Sequence, residues 1–239
     1  MASNMEILPV SVFQRDRNGD KTEHWQWYGP GKLHPTHLGD TLKNNRYIIV
    51  HKLDHDNHAL SWLARDNHTD TWKRISIRHA SPSVHEDSIR TVNKHLAERA
   101  AIGDAAADEK GLAVDAFLHH GPNGTHVCMV FPLQGYMGCF RWEAHDECRM
   151  DERWFVRQCT RLRSEEGRKG PDSVHEITEA EMMKILGRPQ VIMVDDKFRS
   201  ALSVYPELRR EQLPHYLVVR PERIGYDIDF WLSDEAFEQ

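Results

Sequence analysis

An α+β fold is predicted for this chain of 239 residues, and three observations predict it. Between Arg46 and Phe131 the apolar pattern reads strand, strand, strand, helix, strand, strand. The turn signal His120-Gly-Pro-Asn-Gly124 splits the last two of these strands into a hairpin. After residue 133 the pattern becomes irregular, with helical segments and short strands and no internal repeat.

The elements follow in order. Residues 1–45 are polar, rich in Gly, His and Asn, and read as an extended arm. Tyr47 to Leu53 and Leu60 to Ala64 form a first strand pair around a polar turn. Trp72 to His79 is a third strand, in which Ile75 and Ile77 alternate with polar residues. Ser83 and Glu86 have capping-box spacing. The helix predicted over 84–98 carries Ile89, Val92 and Leu96 on one face. Residues 103–112 are small and charged and read as a loop; Ala113 to Leu118 and Thr125 to Phe131 are the hairpin strands. Asp151 to Leu162 is a second helix, with Phe155, Cys159 and Leu162 on one side. Thr178 and Glu181 open a third helix, which Gly187 and Pro189 end. Tyr216 to Val219 and Ile228 to Leu232 are short strands.

Composition narrows the function classes. The chain is 39% hydrophobic and 28% charged, the balance of a globular protein with a substantial core. A net charge of −6 argues against a nucleic-acid or membrane-surface binder. No apolar run approaches the roughly 18 residues of a membrane span, and Met1 to Arg17 carries no signal-peptide pattern. Cys128, Cys139, Cys148 and Cys159 lack C-x-x-C spacing and read as reduced thiols of a cytoplasmic or nuclear protein. Cys159 reads as a half-buried structural residue. His51, His55 and His58 surround Asp54 and Asp56, but no standard zinc spacing appears, and the cluster reads as a solvated polar turn. Asp195-Asp196 marks a turn, and Asp227 and Asp229 lie on the polar face of a strand. Asn67-His-Thr69 and Asn123-Gly-Thr125 fit the glycosylation pattern, which a cytosolic chain does not use.

Several segments, taken in order, are similar to the serine/arginine-rich-protein-kinase-like (SRPK-like) family. Tyr28-Gly-Pro-Gly-Lys-Leu-His34-Pro-Thr-His37-Leu-Gly-Asp40 resembles the entry segment before its first strand. Trp62-Leu-Ala-Arg-Asp66 resembles the strand after its Gly-rich loop. His120 to Phe131 resembles its fourth and fifth strands. Ile185-Leu-Gly-Arg-Pro189, Tyr216-Leu-Val218 and Ser233-Asp-Glu-Ala-Phe237 resemble an insert and a shortened form of its metal-binding Asp motif. The resemblance covers most of 28–133 and patches of 175–237. It implies an N-terminal extension over 1–45. A protein-kinase-like small lobe, a five-stranded antiparallel sheet plus one helix, follows over 46–133. Residues 134–239 are then an incomplete, irregular large-lobe remnant, the family's activation segment and core large-lobe helices being missing.

The same resemblance marks a degenerate ATP loop, Leu53, Asp54, Asp56 and Ser61, with Ser76 at the position of the family's lysine. Asp54 and Asp56 stand where glycines let backbone N–H groups approach phosphates. One carboxylate about 5 Å from a polyanion costs about 3 kcal/mol at an effective dielectric of about 20. Arg74 and Arg78 share the face of Ser76, while Lys73 reaches it only through a one-residue bulge. Glu86 and Asp87 lie within a turn of the position of the family's helix glutamate. No Asn follows Asn123, so the catalytic-loop Asn is absent; His145-Asp146 falls too early to supply the loop. Asp234 corresponds to the remaining metal ligand. The expected function is that of a catalytically inactive pseudokinase acting through protein binding, its partner a true kinase or a second copy of the chain, with no cofactor, nucleic acid or membrane. The alternatives are a residual Ser/Thr protein kinase using ATP and Mg, with Asp234 on the metal, and a decayed or partly spliced kinase with no evolved role.

Overall fold

The computed structural model describes residues 5–8, 22–56, 58–101, 112–133, 152–194 and 208–221. Its strands are β1 (Glu6–Leu8), β2 (Thr41–Leu42), β3 (Tyr47–His55), β4 (Ala59–Asp66), β5 (Thr71–Ala80), β6 (Asp115–Gly121), β7 (Gly124–Pro132), β8 (Gln190–Met193) and β9 (Tyr216–Val218). Its helices are α1 (Glu86–Ala101), α2 (Glu152–Glu165) and α3 (Glu179–Leu186). The five expected strands form one sheet, to which β2 adds a short sixth, in the order β2-β3-β4-β5-β7-β6. Every neighbouring pair in it is antiparallel. A second sheet has the order β1-β8-β9, with β1 parallel and β9 antiparallel to β8. The predicted strand at 228–232 lies outside the described residues.

Alternation along the strands builds a core on each side of the large sheet. Leu60, Trp62, Ile75, Ile77, Cys128 and Val130 pack with Tyr28 and Leu33 of the arm and with Val191 and Leu217 of the second sheet. Residues 22–45 of the arm are therefore a packed layer, with Leu33 fully buried, because the sheet offers them an apolar face. Leu63, Trp72 and Leu133 join a separate cluster with Phe155, Cys159, Met182 and Ile185 of α2 and α3. Trp72 Nε1 donates to the Ile177 carbonyl at 2.8 Å, tying the segment before α3 to β5.

Two register shifts in β3, between Ile49 and His51 and between Lys52 and Asp54, break its alternation. His51, Lys52 and Leu53 are consequently buried in succession. The hairpin turn closes as the sequence predicts. Gly124 has φ +126°, and a Cβ there would meet the Ala80 Cβ at 2.9 Å, so only glycine fits without strain.

The helix ends differ in how well spacing foretold them. Thr178 and Glu181 form the predicted capping box, and α3 gives way at Gly187. Ser83 does not cap α1, which begins at Glu86; its hydroxyl bonds that of Ser81 at 3.0 Å instead. Only Ile89 of α1 is buried. The helix is held by Asn93, whose amide donates to the Ala116 carbonyl at 2.7 Å and accepts from the Ala116 N–H at 2.9 Å. β6 is an edge strand, and Asn93 stands in for a missing neighbour.

Candidate functional site

Strand register gathers the positions singled out in the sequence. Asp54 pairs with Ser61, Ser61 with Ser76, and Ser76 with Met129, forming one row across β3, β4, β5 and β7. Residues directly opposite in such a row share a face of the sheet. Where the resemblance calls for a lysine, the row presents a serine.

The neighbouring cations do not fill that gap. Arg74 lies one step along the same face, opposite Leu63 and Phe131. Its guanidinium sits 4.0 Å from the centre of the Phe131 ring, and burial lowers its pKa. Arg78 is exposed. Lys73 alternates to the other face, where it lines a cavity of about 500 Å³ with Arg46, Asp66 and Asn93. Glu86 is exposed, and Asp87 pairs with Arg90 at 3.3 Å.

The turn between β3 and β4 satisfies its own backbone. One carboxylate oxygen of Asp56 accepts from the N–H groups of His58 and Ala59, both at 2.7 Å. Asp54 accepts from the His55 N–H at 2.8 Å. Arg220, just beyond β9, lies 3.5 Å from Asp54. Leu53 is 3% exposed, in the cluster that contains Met182, Ile185 and Leu186.

Beneath the turn lies a buried ion pair that local spacing does not signal. Lys52 is fully buried and donates to Glu23 of the arm, which also accepts from the Tyr28 hydroxyl. Burial pulls Lys52 well below the ordinary lysine range; nearby Asp54 opposes this and Arg220 adds to it. A lysine in an apolar strand run normally reaches solvent. The β3 bulge pairs Lys52 with Trp62 and turns it inward.

Of the turn's histidines, His51 and His55 are less solvated than predicted, while His58 is exposed. His51 is buried, its Nδ1 bonded to the Lys52 carbonyl at 2.7 Å. Burial, Lys52 and Arg220 push His55 down to about 2. Among the described residues no group of His, Cys, Asp or Glu is arranged to hold a metal. Cys159 is fully buried rather than half-buried, and burial, with Glu181 nearby, raises its thiol pKa. Asn123 is also buried, its amide donating to the Leu33 and Gln212 carbonyls, so it is no glycan acceptor in this fold. Asp234, Asp195, Asp196, Asp227, Asp229, His145, Asp146, Cys139 and Cys148 lie outside the described residues. Among the described residues no helix is long and apolar enough to cross a membrane.

Sequence comparison places these features beside known proteins. The chain is 28% identical over 142 residues to protein kinase dsk1 of Schizosaccharomyces pombe, covering 55% of this chain and 24% of that one. It is 33% identical over 112 residues to serine/threonine-protein kinase SKY1 of Saccharomyces cerevisiae, covering 45% and 15%. It is 31% identical over 109 residues to serine/threonine-protein kinase SRPK of Physarum polycephalum, covering 45% and 25%. The chain thus spans a quarter or less of the length of each of these relatives. No family model matches. A crystal structure of a kinase domain is similar over 42% of this chain and 27% of its own, with 14% identity and a TM-score of 0.26. Over about half of its length the chain is SRPK-like, and its sheet and single crossing helix make up an α+β kinase-type small lobe.

Proposed function

We propose that this kinase-like chain does not transfer phosphate and acts through binding another protein. The observation that carries this reading is the β3–β4 turn, where the Asp56 carboxylate holds the N–H groups of His58 and Ala59. A phosphate bound there would have to displace a carboxylate from its hydrogen bonds and lie beside its charge. Phosphoryl transfer depends on positioning and on neutralising charge around the phosphates. The row Asp54, Ser61 and Ser76 supplies a carboxylate and two hydroxyls, and Arg220, the cation beside it, is engaged with Asp54. Leu53, the first residue of the loop, is already covered by the chain's own side chains. The described residues therefore fit a Mg-bound triphosphate poorly.

The test is a thermal shift with millimolar Mg-ATP, for which no stabilisation is expected. A ligand at 100 times its Kd adds about 2.7 kcal/mol, an effect well within reach of such an assay. A Mg-dependent rise in Tm would favour the second reading, a Ser/Thr kinase with an unusual site, which the kinase relatives support. A homodimer and a true kinase are the candidate partners, separable by sedimentation of the chain alone and with an added kinase.

A further inference from the structure

Near the turn of the β6–β7 hairpin the arm is fastened to the hairpin and to β5. The Gly31 N–H donates to the Asn123 carbonyl at 2.8 Å, the Asn123 amide to the Leu33 carbonyl, and the Ala80 N–H to the Lys32 carbonyl at 3.0 Å. At this junction His34 places its ring against His119 of β6 and His126 of β7, with ring centres 4.5 and 5.0 Å apart. The Nε2 atoms of His34 and His119 are 3.1 Å apart. One of them donates and the other accepts, so the contact holds a single proton. Among the described residues His34 Nδ1 and His126 Nε2 are buried without a hydrogen-bond partner. A Cβ on Gly121 would come within 2.4 Å of the His34 ring, so the ring fills the space a side chain there would need.

We propose that His34, His119 and His126 form an acid-released clasp, which holds the arm on the hairpin while its imidazoles are neutral and lets it go when they are protonated. A second proton in the His34–His119 contact sets two N–H groups face to face in a buried site. The surrounding groups mostly favour the neutral rings. From the arm come Asp40 and His37; from β6, His119 and His120; from β7, His126. His79 of β5 acts on His126, and His58, Asp56 and Lys32 act in turn on His79. Asp40, the carboxylate that opposes on His34 and His119, is already bound to the His37 N–H at 2.7 Å.

Burial and then the neighbouring imidazoles hold His34 down to about 3, and burial lowers His119 and His126 as well. A released imidazole titrates near 6.5. The open arm therefore binds more protons than the closed one, so closure is favoured above about pH 6.5 and weakens as pH falls below it. His34 alone raises the opening equilibrium about thirtyfold between pH 7.5 and 5.0. Opening withdraws Leu33 from the apolar face it covers.

Hydrogen exchange read by mass spectrometry on the full chain tests this, with rates corrected for intrinsic pH dependence. Peptides spanning residues 30–38 are expected to open about thirtyfold more at pH 5.0 than at pH 7.5, while peptides from α2 and α3 keep their protection. His34→Gln is expected to abolish most of the response. If that variant fails to fold, His126→Gln, which leaves the arm's own ring in place, is expected to reduce the response. An arm that stays protected at pH 5.0, a loss of protection shared equally by α2 and α3, or a response unchanged in the variants would overturn the proposal.

Discussion

Replacing Glu23 by Ala removes the partner of a lysine that has no access to solvent. Lys52, Glu23 and Tyr28 are respectively 0%, 2% and 1% exposed. Breaking a buried pair from one side costs about 3–5 kcal/mol, since the remaining charge is left without compensation. The Tyr28 hydroxyl also loses its acceptor, which adds about 1–2 kcal/mol. Deprotonation limits the first cost. Discharging an ordinary lysine of pKa about 10.4 at pH 7 takes about 4.6 kcal/mol, at about 1.36 kcal/mol per unit. In Glu23→Ala the folded state holds Lys52 neutral while the unfolded chain holds it protonated. The unfolded state then binds more protons, so the variant's stability rises with pH, by up to about 1.4 kcal/mol per unit below the ordinary lysine pKa. The double variant Glu23→Leu, Lys52→Met removes both charges and is expected to lie within about 2 kcal/mol of the parent with no added pH slope. Urea unfolding followed by tryptophan fluorescence measures all of this, buried Trp62 and Trp72 being the reporters. A single variant costing under about 1 kcal/mol, or a double variant as unstable as the single, would refute the reasoning.

Two further changes probe how the chain's second half is held. Asn123→Ala strands the Leu33 and Gln212 carbonyls at once; a loss of about 2–4 kcal/mol is expected in urea unfolding, with faster hydrogen exchange in both attached segments. Glu181→Gln breaks the paired bonds from Arg163 at 2.9 and 3.0 Å and should cost about 2–4 kcal/mol at pH 7. Arg163 holds the Glu181 carboxyl well below the usual carboxylate range. Its contribution is thus present above the unfolded value of about 4.3 and lost as pH falls below it. Between pH 5 and 3.5 the parent should lose more stability than Glu181→Gln, as read from urea midpoints.

Features written in neighbouring residues are legible in the amino-acid sequence alone. The period-two alternation of Ile75 and Ile77, the Gly121 to Gly124 turn and the Thr178–Glu181 box each depend on contacts a few residues apart, and each formed where spacing placed it. Ser83 shows the limit of such reasoning, because a capping pattern competes with other local bonds, and the Ser81 hydroxyl won. The candidate site was legible as a set of residue types, since Asp54, Asp56 and Ser76 could be read against a family pattern. The alignment of Asp54, Ser61 and Ser76 in one row was not, because it rests on the pairing of three strands and on bulges that shift β3.

Sequence by itself thus determined the succession of strands and helices from β3 to α3, the SRPK-like resemblance and the absence of a lysine at position 76, but not β1, β2 or β8. Tertiary structure alone decided where the charges went. Lys52 turned inward to an acid 29 residues away, and His34 met two rings of a distant hairpin. The physical reason is that a side chain's partner and exposure are set by packing across the chain, whereas secondary structure is set largely by residues a turn or a strand pair apart.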